Sequence, residues 1–268
     1  MTTSRNEPVS WRTAIVPGAL ALCLVALGAL GVASGDFAFQ WQPVPPHTPA
    51  RATLAIAAGL LEIAAGVLLV PARSRVAGAW LAAAILIAWT ALHAPAVVQH
   101  PASVADWLGL AETAAMASAA LMFAADTAGV AAAGTIRRGT VLAFGLCAIV
   151  FGVSHFVYAD FTASMIPAWL PQRVALAWFT GAAHALAGLA IAVGVLRGLA
   201  AAMEASMMAG FVVLVHVPRV LANPGSRTEW TMLLVALLLS GSAATVARLA
   251  GVERPATPRE SARILTRP

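Results

Sequence analysis

Charged side chains are scarce in this sequence. Asp, Glu, Lys and Arg together make up 10% of the 268 residues, whereas soluble proteins carry roughly 25%. This scarcity excludes an ordinary soluble enzyme, a disordered chain and a nucleic-acid-binding domain. The net charge of +5 arises from 16 Arg with no Lys. Because these Arg lie between and beyond apolar runs, they do not indicate a nucleic-acid partner.

Cysteine is almost absent as well. The sequence holds Cys23 and Cys147, and neither belongs to a Cys-x-x-Cys or zinc-type pattern. A disulfide framework is therefore excluded, and no metal site is expected. Haem and flavin signatures are also missing, so no cofactor is recognisable. Both thiols lie deep in apolar runs, where packing is favoured over redox chemistry.

Apolar residues, in contrast, make up 60% of the chain. A membrane-spanning helix uses about 20 such residues. Eight runs of spanning length predict an all-α polytopic membrane protein with eight transmembrane helices, because a chain in lipid must satisfy its backbone groups internally. The runs cover residues 13–34, 52–70, 76–98, 105–125, 140–158, 174–195, 200–221 and 230–250.

The first half of the chain recurs in the second half at an offset of 122–124 residues. Rare residue types recur in the same order, which chance does not readily supply. The matches include Cys23 with Cys147, Asp36-Phe37 with Asp160-Phe161, Arg51 with Arg173, Gly59 with Gly181, Gly66 with Gly188, His93 with His216, and Trp107 with Trp230. The sequence thus predicts two parallel four-helix repeats related by a pseudo-twofold axis along the membrane normal. The first run, being equivalent to the fifth, is predicted as a retained span rather than a signal peptide.

The predicted organisation has five segments. The first repeat covers 13–125 and the second covers 139–250, with a linker at 126–138 between them. The segments 1–12 and 251–268 flank the repeats, and the latter is an Arg-rich tail. If the N-terminus is cytoplasmic and the spans alternate, twelve Arg lie on the cytoplasmic side and four on the opposite side. Since cytoplasmic loops carry an excess of Arg, both termini and the linker are predicted to be cytoplasmic.

Ionisable residues gather near the non-cytoplasmic ends of the runs, where they are usually paired or functional. Three elements recur there in both halves. These are an Asp-Phe pair after the first helix, a Pro-rich loop, and a His-x-Pro element whose Pro is expected to end the third helix. Two roles are open for the two histidines of the last element. One is helix capping or interfacial hydrogen bonding, and the other is ligand binding. The candidate ligand-binding residues are Asp36, His93, His155, Asp160, Arg173 and His216.

Three further residues are candidates for handling protons inside the membrane. Glu62 lies about halfway along the second run, and its repeat equivalent is His184. One hypothesis is that these two residues face each other across the repeat interface as a buried acid–base pair. The alternative is that each is hydrogen-bonded within its own repeat. Glu112, about two turns into the fourth run, is a candidate member of the outer cluster.

The second repeat resembles the DoxX family of small four-helix membrane proteins. The resemblance is carried by residues 151–156 (Phe-Gly-Val-Ser-His-Phe), 166–171 (Ile-Pro-Ala-Trp-Leu-Pro), 180–188 (a Gly-rich helix) and 216–218 (His-Val-Pro). It covers roughly 140–250 and extends more weakly over 14–125. It implies a protein of the bacterial cytoplasmic (inner) membrane, and some members are linked to quinone- or sulfur-related redox steps. Usual members have a single four-helix unit, whereas this chain carries two.

Three functional hypotheses follow. The first is a membrane subunit that binds a quinone or another small redox compound at its non-cytoplasmic face, with electrons from a redox partner protein. Any enzymatic role would then be oxidoreductase-associated. The second is a small-solute or proton-coupled transporter with Glu62 and His184 as coupling residues, although no run is plainly broken at mid-membrane. The third is a non-catalytic scaffold or assembly protein. All three share the lipid bilayer as a partner.

Overall fold

The computed structural model describes residues 11–38 and 40–250. The predicted tail at 251–268 and most of the predicted segment 1–12 therefore lie outside the described residues. Every regular element of the described part is helical, which confirms the predicted all-α class. The helices are α1 Trp11–Ser34, α2 Arg51–Leu69, α3 Arg75–Gln99, α4 Val104–Ala128, α5 Ala133–Val157, α6 Ala159–Met165, α7 Arg173–Val193, α8 Arg197–Phe211, α9 Val217–Ala222 and α10 Arg227–Ala250, with a π-helical segment Val212–His216 between α8 and α9.

Seven helical stretches in the described part are long and apolar enough to cross a membrane, and they coincide with seven of the predicted runs. One of them, Arg197–Ala222, consists of α8, the π segment and α9. In α1 the apolar part Gly18–Ser34 is shorter than these seven. The chain is therefore a membrane protein built as a helical bundle.

Long helices that follow one another in the chain run antiparallel, so their ends alternate between two sides of the bundle. The ends of α1, α3, α5 and α9 lie on one side with the starts of α2, α4, α7 and α10. This side is called the Asp36 face, and the opposite side the Arg138 face. The main packed pairs are α1 with α2, α3 with α4, α4 with α5, α5 with α7, and α8 with α10, while α10 also packs on α1 and α4. The core therefore contains side chains from both halves, among them Leu24, Phe144 and Val246.

Two connections differ from the predicted organisation. The linker predicted at 126–138 is shorter, because α4 continues to Ala128 and α5 begins at Ala133. The helical backbone extends past the apolar runs here, and Gly129, with φ at 62°, closes α4 in the left-handed conformation that glycine adopts readily. On the Asp36 face, α6 lies in the connection between α5 and α7, where the first half has turns.

The expectation that Pro ends the third helix of each half is wrong. Pro95 lies inside α3, which continues to Gln99. Pro218 lies near the start of α9, which continues to Ala222. Pro removes one backbone donor, but neighbouring helices and local π geometry compensate for that loss in membrane helices. In the second half the π segment directly precedes α9.

Glycine brings the first two long helices of each half into backbone contact. A Cβ atom on Gly59 of α2 would lie 2.6 Å from the carbonyl oxygen of Gly28 in α1. A Cβ atom on Gly152 of α5 would likewise lie 2.6 Å from the carbonyl oxygen of Gly181 in α7. Neither position leaves room for a side chain. Small residues thus permit the close helix approach that drives packing in lipid.

We predict that Gly152→Val destabilises the bundle, because the added side chain forces α5 away from the backbone of α7. The free energy of unfolding should fall by about 1–3 kcal/mol relative to the control, measured by denaturation in detergent micelles. The matched control is Gly210→Val, which makes the same change in a helix at a position with no neighbouring atom within 4 Å. Equal losses for both variants would contradict the close contact.

Candidate functional site

The structure does not bring the candidate residues together as one outer cluster. His155 lies beside His184 inside the second half. Asp160 and Arg173 line an open groove on the Asp36 face. The equivalent first-half residue Asp36 lies on the same face but forms an ion pair of its own. The sites are therefore chemically distinct and have to be considered separately.

A buried histidine–glutamate pair lies in the second half. Nδ1 of His184 is 2.6 Å from Oε1 of Glu204, and the two side chains are 3% and 0% exposed. His184 is near the middle of α7, and Glu204 is about two turns into α8. The second carboxyl oxygen of Glu204 is buried without a hydrogen-bond partner among the described residues. Because an isolated charge is costly away from water, the pair must share its charge or its proton.

His155 extends this pair toward the Asp36 face. Its ring lies edge-to-face against the His184 ring, with the centroids 5.0 Å apart. Nδ1 of His155 is 3.0 Å from the hydroxyl oxygen of Thr180, and that hydroxyl donates to the carbonyl oxygen of Leu176. Thr180 therefore accepts from Nδ1–H, an assignment that leaves Nε2 of the neutral imidazole as a proton acceptor. His155, Thr180, His184 and Glu204 are called the histidine–glutamate cluster.

Aromatic rings and an irregular backbone segment border this cluster. The Phe151 ring contacts the His184 ring edge-to-face at a centroid distance of 5.9 Å, and the Phe211 ring lies 5.8 Å from that of His184. The π segment Val212–His216 begins directly after Phe211. Turns of π-helix are rare and frequently occur at functional sites. The span is thus irregular next to its ionisable residues.

Glu62 has separate partners in the first half. Its Oε1 accepts hydrogen bonds from Nε2 of Gln42 at 2.7 Å and from Nε1 of Trp89 at 3.0 Å, and the side chain is buried. Its Oε2 is buried without a hydrogen-bond partner in the described part of the chain. Glu62 and His184 therefore do not form a pair, and each is hydrogen-bonded within its own half.

A small, mainly apolar cavity of about 30 Å³ lies beside Glu62, and its lining includes Trp41 and Arg227. A space of this size holds a water molecule or two, whereas organic ligands need several hundred Å³. Nearby, Oε2 of Glu112 accepts a hydrogen bond of 2.7 Å from Nε1 of Trp41. Glu112 is thus hydrogen-bonded to the connection between α1 and α2.

The repeated Asp and Arg of the Asp36 face are arranged differently in the two halves. Oδ1 of Asp36 is 2.9 Å from Nε of Arg51, which makes a direct ion pair. Their equivalents Asp160 and Arg173 line an open groove of about 490 Å³. Within the described residues, neither of these two side chains has an ion-pair or hydrogen-bond partner. The groove is open to the surface, and both charged side chains are exposed.

His93 and His216 occupy equivalent positions but do not join the histidine–glutamate cluster by hydrogen bonds. Nε2 of His93 and Nδ1 of His216 are buried without hydrogen-bond partners in the described regions. His93 packs against bare Gly109, where a Cβ atom would lie 2.8 Å from the imidazole ring. His216 is the last residue of the π segment. Both histidines are therefore packed into the helical bundle.

Four residues of these sites were missed by the sequence patterns: Gln42, Trp89, Thr180 and Glu204. Glu204 does carry a signal, because an acidic residue inside an apolar run is unusual and deserves a functional hypothesis. Gln42 lies in a loop, and Trp89 is one of eight Trp in the chain. Nothing in the sequence distinguishes these two as partners of Glu62.

The chemistry available at the histidine–glutamate cluster is proton transfer. Imidazole and carboxyl groups in hydrogen-bond contact can exchange a proton without moving other atoms far. Among the residues that the structure describes, no three His, Cys, Asp or Glu side chains are grouped in a way that would hold a metal ion.

Comparison with known proteins gives one partial match. A family model described as a domain of unknown function (DUF8561) matches residues 142–220, which is less than a third of the chain. The similar region extends from within α5 into α9 and contains the whole histidine–glutamate cluster. No curated protein and no solved structure matches the chain.

We predict that removing one member of the buried pair destabilises the protein more than removing both. His184→Leu and Glu204→Leu should each lower the free energy of unfolding by about 3–5 kcal/mol, because each leaves a buried polar group without its partner. The double variant should lose less than either single variant. Denaturation of all four proteins in the same micelles measures this cycle. Strictly additive losses would show that the two side chains do not interact.

Proposed function

We propose that this membrane protein exchanges protons inside the bilayer at the histidine–glutamate cluster, in support of a quinone or another small redox compound bound near its non-cytoplasmic face. The observation that carries the proposal is the 2.6 Å contact between the buried side chains of His184 and Glu204. Ionisable groups within a membrane span are costly, and proton relays are among their main uses.

The cluster is suited to holding one proton at a time. With Glu204 ionised and His184 neutral, the pair carries a net charge of −1. Uptake of one proton makes the pair neutral, either as two uncharged groups or as an ion pair. Because one short contact joins the two side chains, the exchanged proton belongs to the pair rather than to either residue alone.

His155 connects this pair to the Asp36 face. Its Nδ1–H is held by Thr180, so its Nε2 is the atom that accepts or donates the exchanged proton. Reduction of a quinone to a quinol consumes two electrons and two protons. The cluster supplies protons in succession, and the electrons come from a redox partner protein. The ground for a redox setting is the resemblance to the DoxX family that the sequence of residues 140–250 carries.

The architecture that we propose has eight transmembrane helices in two parallel four-helix repeats. Equivalent contacts support it. Nε1 of Trp107 donates to the carbonyl of Pro101, and Nε1 of Trp230 donates to that of Pro224, each at 2.9 Å. The first helix of each half also packs on the last helix of the other half, as a twofold axis requires, since α1 contacts α10 and α5 contacts α4.

We further propose that the protein lies in a bacterial cytoplasmic membrane with both termini in the cytoplasm. The Arg138 face would then be cytoplasmic, and the Asp36 face would be non-cytoplasmic. The support is the excess of twelve Arg over four on the proposed cytoplasmic side. This orientation places His155, at the end of α5, nearer to the non-cytoplasmic surface than His184.

Proton-coupled transport of a small solute is the second candidate function. The π segment Val212–His216 favours it, because transporters commonly interrupt their spans beside the binding site. The same cluster would then couple a proton to solute movement. A scaffold without ligand remains the third hypothesis, and it requires no function of the cluster.

We predict that the affinity of the reconstituted protein for a short-chain quinone depends on pH, because binding is coupled to the proton held by the cluster. Glu204→Gln should abolish the pH dependence, and His155→Gln should weaken binding by about tenfold, the effect of losing one good hydrogen bond. Quenching of tryptophan fluorescence by the quinone measures both. The control is His47→Gln, which changes an exposed histidine of the same face.

Other outcomes separate the alternatives. Proton flux into liposomes that requires an added solute, together with no quinone binding, would favour transport over the redox role. Absence of both activities in the wild-type protein would overturn the proposal and favour a scaffold.

The orientation predicts the behaviour of reporter fusions. Alkaline phosphatase fused after residue 268 should be inactive, because the enzyme needs an oxidising compartment outside the cytoplasm. The same reporter inserted at 101–103, in the connection between α3 and α4, should be active. The opposite pattern would invert the proposed topology.

A further inference from the structure

We propose that the open groove of the second half binds the headgroup of a phospholipid that carries both a phosphate and a primary ammonium group. Arg173 would bind the phosphate, and Asp160 would accept hydrogen bonds from the ammonium group. This site is independent of the histidine–glutamate cluster. It follows from comparing two equivalent Asp–Arg pairs, one closed and one open.

The pair in the first half is closed by protein contacts. Nε of Arg51 binds the carboxylate of Asp36, and its Nη1 donates to the carbonyl oxygens of Val44 and Pro45. The guanidinium carbon also lies 5.1 Å from the centre of the Phe37 ring. Nε and Nη1 of Arg51 therefore find their acceptors within the protein.

The equivalent pair in the second half is open. Phe37 is 4% exposed, whereas its counterpart Phe161 is 66% exposed and does not cover Arg173 in the same way. A backbone difference accounts for this. Gly35 adopts φ of 61° and ends α1 with a turn, but the matching residue Ala159 begins the helix α6. Because alanine favours helix and glycine permits the turn, the second connection takes another path and leaves the groove of about 490 Å³.

The position of the groove favours a lipid over a dissolved compound. Asp160 lies just beyond the end of α5, and Arg173 is the first residue of α7, so both lie where membrane spans end. Trp169, in the connection between α6 and α7, is 71% exposed. Exposed aromatic side chains at span ends are typical of the headgroup layer. Phospholipid headgroups are the most concentrated zwitterions in that layer.

The two side chains match the two charges of such a headgroup. Guanidinium presents a planar set of donors that suits phosphate oxygens, and a carboxylate accepts strong hydrogen bonds from a primary ammonium. Phosphatidylethanolamine carries both partners. Phosphatidylcholine has no N–H to donate to Asp160, and phosphatidylglycerol has no cation at all. The binding preference among these three lipids therefore tests the proposed contacts of Arg173 and Asp160.

The test uses delipidated full-length protein in detergent, with native mass spectrometry to count bound lipids. Phosphatidylethanolamine should bind the wild-type protein about tenfold more tightly than phosphatidylcholine or phosphatidylglycerol, the effect expected for one charge-assisted hydrogen bond. Arg173→Gln and Asp160→Asn should each remove that preference. The controls are Arg138→Gln and Asp126→Asn, which make the same changes at exposed positions on the Arg138 face, and they should retain it.

Two results would overturn the proposal. One is equal binding of the three lipids, or a preference that survives both groove variants. The other is binding of free phosphoethanolamine as tight as that of the lipid, which would identify a site for a soluble zwitterion instead. Lipid preference is read from the groove variants and quinone affinity from the variants of the histidine–glutamate cluster, so this proposal and the proton-exchange proposal can fail separately.

Discussion

Direct contact between helix backbones at glycine is the constraint on which the rest of the structure depends. Helices in lipid associate through packing rather than through exclusion of water. Glycine positions, which have no side chain, therefore determine which helices approach closely. A Cβ atom on Gly181 would lie 2.8 Å from Cβ of His155. Because that space is free, α5 brings His155 against α7, and its ring meets His184 one turn further along. The histidine–glutamate cluster thus depends on the absence of a side chain at Gly181.

The two halves of the chain hold two different polar sites. Glu62 and His184 lie at matching positions of the repeat that the sequence predicts, and each has a partner on the third long helix of its own half. Trp89 of α3 serves Glu62, and Glu204 of α8 serves His184. A buried ionisable group needs such a partner. Glu62 and His184 differ in their chemistry, and their partners on the neighbouring helix differ accordingly. The outcome is a carboxyl beside a water-sized cavity in one half and a buried histidine–glutamate pair in the other.

The Asp36 face shows the same divergence. The first half closes its Asp–Arg pair under a buried phenylalanine, whereas the second half leaves the pair open beside exposed aromatic rings. The first half consequently resembles a sealed structural unit, while the second half combines an accessible groove with an ionisable cluster. The match to a known domain model at 142–220 falls in this second half.

The apolar runs of the sequence determined that the chain is a helical membrane protein. About 20 consecutive apolar residues cross the hydrocarbon layer with all their backbone hydrogen bonds formed only as a helix. Helix positions followed closely, since apolar runs and span lengths are local properties. The sequence also identified Glu62 and His184 as unusual, but not their partners. Whether they meet depends on how α2 and α7 rotate against their neighbours, and that rotation is set by packing across the whole bundle. Tertiary structure alone therefore decided that His184 pairs with Glu204, that Glu62 binds Gln42 and Trp89, and that one Asp–Arg pair is closed while its equivalent is open.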